Sequence, residues 1–348
     1  MDIIKIFLPT VFSFIIGILI TPIVSNFLYK NRMWKKKSVA VATDGGTATI
    51  SQKLHNDEER KTPRMGGVVI WSSVFITVII LWLLSIAFDS FWTKMSFLSR
   101  NQTWLPFFNL VDGGLLGLID DYFSVTERYD QKAGGLSSKK RLFMVFIIAL
   151  IGAWWFYVKL ENTGIIIPFV GVWEAGWLFA VFFVLVMLAT YSGGVIDGLD
   201  GLSGGVFSII FTSYGILAFV QNQIDLAAFC FVLVGGILAF LWFNIPPARF
   251  FMSETGIMAL TMTLVVVAFL TQQVLVLPII ALLLVASSGS SIIQLLSKKY
   301  FNGRKVFLVA PLHHHFQAKG WPATKVVMRY WIIGVICGAI GIIIAILG

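Results

Sequence analysis

Residues 255–296, TGIMALTMTLVVVAFLTQQVLVLPIIALLLVASSGSSIIQLL, decide the fold. The stretch carries no charged side chain, and only the polar triplet Thr271-Gln272-Gln273 divides it. A helix needs about 20 residues to cross a bilayer, so the natural reading is two membrane helices joined by a tight turn. Counting them as one would move every later loop to the other side of the membrane.

Working outward, apolar runs of similar length fall at roughly 3–28, 66–88, 103–119, 142–160, 174–194, 201–220, 226–243 and 326–347, which with the opening pair makes ten spans. The run at 103–119 is the weakest, because Asp112 and several glycines interrupt it. The composition agrees: of 348 residues 58% are hydrophobic and 12% charged, against about a quarter charged in soluble domains. The first run is too long for a signal-peptide core and is followed by Ser25-Asn26, not a small-residue cleavage pattern, so it reads as a retained span. Cys230 and Cys337 both sit inside apolar runs, where small apolar packing is their usual role.

A net charge of +9 raises nucleic acid as a partner, but its distribution argues otherwise. Loops after spans 1, 3, 5, 7 and 9 hold nearly all Lys and Arg, leaving Lys5, Lys94, Arg100 and Lys159 for the other side. By the positive-inside rule the rich side is cytoplasmic. The expectation is an all-α polytopic integral membrane protein with about ten transmembrane helices and both termini extracytoplasmic. It forms one domain over 1–348, with its active site in cytoplasmic loops 29–65, 120–141, 192–205, 244–256 and 297–325, the bilayer as its surroundings and no nucleic acid partner. Loop residues 89–102 and 161–177 carry interfacial tryptophans and no evident chemistry.

The acids fall on that same face. Asp120-Asp121 ends an apolar helix, where adjacent carboxylates repel unless a proton or cation lies between them; a hard ion such as Mg2+ suits oxygen donors, and a solvated helix end is the alternative. Asp197 and Asp200 lie three apart among glycines that permit irregular backbone around a cavity. Glu254 opens span 8, either as a macrodipole acid or as a third oxygen ligand. Phe251 either packs or stacks on a base. Lys35–Lys37 suits anionic head groups, whereas Lys61-Thr62-Pro63-Arg64-Met65-Gly66-Gly67 combines cations with a glycine pair that lets backbone approach a phosphate or nucleotide. Lys139-Lys140-Arg141 offers further cations for phosphate or head groups. His313-His314-His315 first suggests a metal tract. Three consecutive residues cannot all face one ion in regular structure, so phosphate hydrogen bonding or proton transfer fits better.

Leu118-Ile119-Asp120-Asp121-Tyr122, Asp197-Gly198-Leu199-Asp200-Gly201-Leu202, Phe243-Asn244 with Phe251-Met252, and above all Ala310-Pro311-Leu312-His313-His314-His315-Phe316 with Lys319-Gly320-Trp321 resemble the phospho-N-acetylmuramoyl-pentapeptide-transferase (MraY) family, within the polyprenyl-phosphate N-acetylhexosamine-1-phosphate transferases. The likeness runs nearly the whole chain in order. It implies ten helices with both ends outside in the bacterial cytoplasmic membrane, and transfer of phospho-MurNAc-pentapeptide from UDP to undecaprenyl phosphate, giving lipid I and UMP with Mg2+ as cofactor; a homodimer is compatible with it. By position it implies catalytic roles for Asp120, Asp121, Asp197, His313, His314 and His315. Glu254, with Asp120 and Asp121, would hold the metal. Lys61, Thr62, Arg64, Arg141, Gly198, Leu199, Asp200, Asn244 and Phe251 would contact substrate, with Phe251 stacked on uracil. The chain departs from the family at Ser124 and Arg141, where lysines stand, at Gly194 for Asn, at Arg64 for Thr, and at Ser253-Glu254 for Gly-Asp. A sister transferase using UDP-GlcNAc or another UDP-sugar is the alternative; a transporter or an inactive lipid-binding relative is the third.

Overall fold

The computed structural model describes residues 1–34, 61–88, 91–99, 102–126, 135–161 and 163–348; the Lys35–Lys37 cluster lies outside them. The long helices are α1 Asp2–Lys30, α2 Val68–Ala87, α3 Trp104–Thr126, α4 Ser138–Trp154, α5 Leu178–Ser192, α6 Leu202–Val220, α7 Ile224–Asn244, α8 Ser253–Leu270 and α9 Leu282–Tyr300. A short α10, Leu312–Ala318, carries the histidines and precedes α11, Ala323–Leu347.

Each expected span coincides with one of these helices. Among the described residues eight are long and apolar enough to cross a membrane, and nine if Val274–Ile280 and α9, bent by 78°, form one span. The helix outside that set is α3, whose Asn109, Asp112, Asp120 and Asp121 lower its hydropathy. It still packs lengthwise on α8, because its glycines admit close approach: a Cβ at Gly117 would fall 2.2 Å from the Glu254 carbonyl oxygen, and one at Gly113 2.9 Å from that of Met258. The interrupted run of the sequence is thus the helix that brings Asp120 and Asp121 to the start of α8.

Layering follows hydropathy. The best apolar windows of α6, α7 and α8 are 67%, 78% and 89% buried, against 22% for α1 and 28% for α11, as expected when a helix apolar all round sits at the centre. Outer helices leave leucine, isoleucine and phenylalanine outward, as lipid-facing surfaces do. The structure adds one feature absent from the sequence reading, an antiparallel hairpin of β1 Gly164–Ile167 and β2 Gly171–Glu174.

Contacts sort the two ends of the bundle. Lys5 pairs with Asp225, Gln221 Nε2 donates to the Thr271 carbonyl at 3.0 Å, and the Phe169 amide donates to Gly348. Both termini, the hairpin and the turns at 221–225 and 271–273 therefore share one end. Asp120, Asp121, Asp197, Asp200 and Glu254 lie at the other.

Candidate active site

Four aspartates at that end each accept a backbone N–H from a distant segment. Asp120 Oδ1 accepts from Leu136 (2.7 Å), Asp121 Oδ2 from Thr255 (2.9 Å), Asp197 Oδ2 from Ser253 (2.8 Å) and Asp200 Oδ2 from Ala248 (2.9 Å). Thr255 Oγ1 also donates to Asp121, and Ser203 Oγ to Asp197 Oδ1 at 2.7 Å. The carboxylates thereby staple together the segments that follow α3, α5 and α7. Burial pushes the Asp197 carboxyl above its usual range even with its Ser203 and Ser253 donors.

Two arginines face these acids. Arg64 lies in a strip, residues 63–67, that pairs with the start of α8: Phe251 N–H donates to Pro63 (2.9 Å), Gly66 N–H to Phe251 (2.8 Å) and Gly67 N–H to Met252 (3.2 Å). The close approach expected of Gly66-Gly67 is thus made to protein backbone: a Cβ on Gly67 would stand 2.2 Å from the Gly256 nitrogen. Arg64 Nε donates to Ser253 Oγ at 3.1 Å and lies 3.5 Å from Asp121 Oδ1. These contacts hold Ser253 at φ +56°, a left-handed backbone that favours glycine. Arg141, in the first turn of α4, hydrogen-bonds Glu254 Oε1 through Nη1, which lies 3.8 Å from Asp120 Oδ2. Tyr191 donates to Glu254 Oε2 at 3.1 Å.

Arg64, Ser138, Arg141, Tyr191, Ser192, Asp197, Ser253 and Glu254 line a cleft of about 370 Å³ between α4, α5 and α8. Sequence reasoning missed Tyr191, Ser138 and Thr255; of these only Tyr191 carries a signal, a phenol directly before the Ser192-Gly193-Gly194 break. Gly194 also lines the cleft, and a Cβ there would fall 2.2 Å from Ile257 Cγ2, so this chain has filled the side-chain space at that position from α8. Ser124 is buried near the turn at Gly135.

The histidines reach the same loops from α10. His313 is fully buried, and neither ring nitrogen has a hydrogen-bond partner among the described residues. Burial drives its pKa well down, so the ring is neutral. Gly198 makes the approach feasible: a Cβ there would stand 2.4 Å from His313 Nε2 and 2.7 Å from His314 Nε2. His314 Nδ1 pairs with Gln317 at 2.7 Å, and His315 Nδ1 accepts the Leu308 N–H at 3.1 Å. His315 thus supports its own loop, while His313 and His314 face the Asp197–Asp200 turn.

The residues expected around the nucleoside are a connected set. Buried Asn244 accepts the Gly201 N–H and donates to the Phe250 carbonyl, both at 2.9 Å. Phe250 fills the core beside Phe240 and Phe243, while Phe251 is half-buried and meets no other aromatic ring among the described residues. Leu199 is half-buried, as is Thr62, and Lys61 is exposed.

For a metal, no three His, Cys, Asp or Glu side chains among the described residues cluster as ligands. Asp121 is turned to Thr255 and Glu254 to Arg141. Asp120 Oδ2 and Glu254 Oε1 do converge on one point, the Arg141 Nη1. Two carboxylates completed by substrate phosphates are a usual Mg2+ set, so the donor chemistry fits.

Residues 103–272, just under half of the chain, match the model for glycosyl transferase family 4, a stretch that holds the Asp120-Asp121 pair, the Asp197 turn and Glu254. Curated relatives match over more of the chain. A phospho-N-acetylmuramoyl-pentapeptide-transferase of Bacillus mycoides (strain KBAB4) is 35% identical over 341 residues, and one of Listeria monocytogenes serotype 4b (strain CLIP80459) 34% identical over 344, each alignment covering 96% of both chains. One from Chloroflexus aurantiacus (strain ATCC 29366 / DSM 635 / J-10-fl) is 33% identical over 299 residues, covering 82% of this chain and 77% of the relative. The chain belongs to the phospho-N-acetylmuramoyl-pentapeptide-transferase family.

Proposed function

We propose that this enzyme transfers phospho-MurNAc-pentapeptide from UDP-MurNAc-pentapeptide to undecaprenyl phosphate, forming lipid I and UMP for peptidoglycan synthesis. It would act as one domain on the cytoplasmic face of the bacterial membrane, with Mg2+. The observation that carries the reading is the convergence, at one end of a membrane bundle, of Asp120, Asp121, Asp197, Glu254, Arg64 and Arg141 around a cleft, with His313 and His314 against the Asp197 turn.

In the reaction a lipid phosphate oxygen attacks the sugar-side phosphorus of the diphosphate, the bond between that phosphorus and the bridging oxygen breaks, and UMP leaves. Asp120 would take a proton from the lipid phosphate. Asp197, held by two donors, and Asp121 would complete the acid set. Arg64 and Arg141 would orient both anions. Glu254 and Asp120 would hold the Mg2+, which when bound offsets charge on the diphosphate. His313, neutral and unpartnered, would donate a hydrogen bond to a phosphate oxygen beside Gly198, with His314 next to it. On the nucleoside, Phe251 would stack on uracil, with Gly198, Leu199, Asp200 and Asn244 shaping that pocket and Lys61 and Thr62 at its rim.

The test is UMP release by purified protein with both substrates and Mg2+. Release that EDTA abolishes and that fails with UDP-GlcNAc as donor is the expected result. No release from UDP-MurNAc-pentapeptide, or release from UDP-GlcNAc instead, counts against it.

A further inference from the structure

Arg141 occupies the place where two carboxylates from different helices meet. Its Nη1 bonds Glu254 Oε1 and stands 3.8 Å from Asp120 Oδ2, while Tyr191 takes the other Glu254 oxygen at 3.1 Å. Both oxygens of Glu254 are thus engaged by protein before any ligand arrives. Nor is Arg141 a solvated surface cation that merely happens to be near: three-quarters of its side chain is buried. The neighbouring acid offers no substitute, because Asp121 Oδ2 is held by the Thr255 amide and hydroxyl and its Oδ1 faces Arg64.

A guanidinium and a divalent cation cannot both bond Glu254 Oε1, since like charges a few ångströms apart in a partly dry cleft repel strongly. We propose that Arg141 is a built-in counter-cation at the metal position, a positioning residue that holds Glu254 in the resting protein and must release it before a divalent ion binds there. An arriving diphosphate is the natural agent of that release, because a guanidinium pairs with phosphate in bidentate fashion as well as with carboxylate. Metal binding is thereby made to wait on the donor anion. The inference rests on the Mg2+-dependent reading of the site, and its test needs no substrate.

Purified protein without nucleotide or lipid is titrated with Mn2+, the free ion being read by its paramagnetic resonance signal. Arg141→Gln is expected to bind Mn2+ about tenfold more tightly than the native protein, since one like charge has left the ligand shell. Lys139→Gln, which removes an exposed cation two residues earlier, is the control for general electrostatics and is expected to change affinity less than about twofold, as screened surface charges do. Equal or weaker binding by Arg141→Gln, or an equal gain from Lys139→Gln, overturns the proposal. Should Arg141→Gln fail to fold, Tyr191→Phe loosens Glu254 with no change of charge; about a threefold gain is expected for the loss of one neutral hydrogen bond, and no gain overturns it. An enzyme that releases UMP but shows neither gain refutes this inference alone.

Discussion

The two ends of the bundle solve one problem in different ways. Each must tie helix termini and turns that come from distant parts of the chain. At the end with the chain termini the ties include neutral groups: Gln221 and Gln223 donate to the Thr271 and Leu270 carbonyls, Tyr214 donates to the Gln273 carbonyl, and Gln102 accepts the Leu226 N–H. At the other end Asn244 is one such neutral tie, but four of the ties are carboxylates that accept backbone N–H groups. Amides would serve the purpose of stability equally well there. Carboxylates cost desolvation, and their use makes sense where fixed negative charge is needed for chemistry. The comparison predicts that changes at the acid end remove turnover more than stability, and changes at the other end the reverse.

The largest effect should come from Asp120→Asn. The amide oxygen can still accept the Leu136 N–H, so the fold should hold while the proton acceptor is gone. UMP release should fall about 10²- to 10⁴-fold, the usual worth of general acid–base catalysis, with the thermal midpoint in detergent within a few degrees of native by the usual size scaling. A large loss of stability with turnover intact would erase the distinction between the ends. Gly198→Ala comes next. Its Cβ would meet His313 Nε2 at 2.4 Å and His314 Nε2 at 2.7 Å, so the histidines must shift by a sizeable fraction of an ångström. Misplacement on that scale costs on the order of a hundredfold in rate, and the same assay reads it.

The acid end also predicts a pH dependence of stability. His313 has a pKa well below its ordinary value because it is buried, so the unfolded chain binds more protons than the folded one below about pH 6.5. Stability should therefore fall on acidification through that window, by up to about 1.4 kcal/mol per pH unit from this residue. Asp197 works in the opposite sense, since its raised folded pKa lets the native state bind a proton more readily than the unfolded chain. The comparison of native protein with His313→Gln keeps Asp197 common to both. The variant should show a flatter decline of thermal midpoint between about pH 6.5 and 5; parallel curves would mean that His313 is solvated.

Much of this was legible in the chain. Length and hydropathy placed every long helix, and the polar triplet at 271–273 marked the end of α8, although the segment after it is bent by 78° before α9. The acids and histidines announced themselves because charge is expensive at membrane depth. The ties between them did not, because a carboxylate accepting a backbone N–H has no side-chain partner to spot: nothing in Ala248 or Leu136 marks it as a donor to Asp200 or Asp120. Gly66-Gly67 misled for a related reason. A glycine pair signals close approach without saying to what, and here the neighbour is the backbone of α8. Thr255 was hidden as an ordinary member of an apolar helix.

The smallest predicted effect tests the other side of the comparison. Gln221→Leu removes a donor to the Thr271 carbonyl, and Gln223→Leu one to that of Leu270. Each lost hydrogen bond should cost about 1 kcal/mol. They lie at the far end of α6 and α8 from Asp197 and Glu254, so UMP release per folded molecule should be unchanged. The two losses should also add to less than their sum, because both amides bind the same helix terminus. If either variant lowered turnover without lowering the thermal midpoint, that end of the bundle would be coupled to the cleft through α6 or α8, and the division of labour between neutral and charged ties would fail.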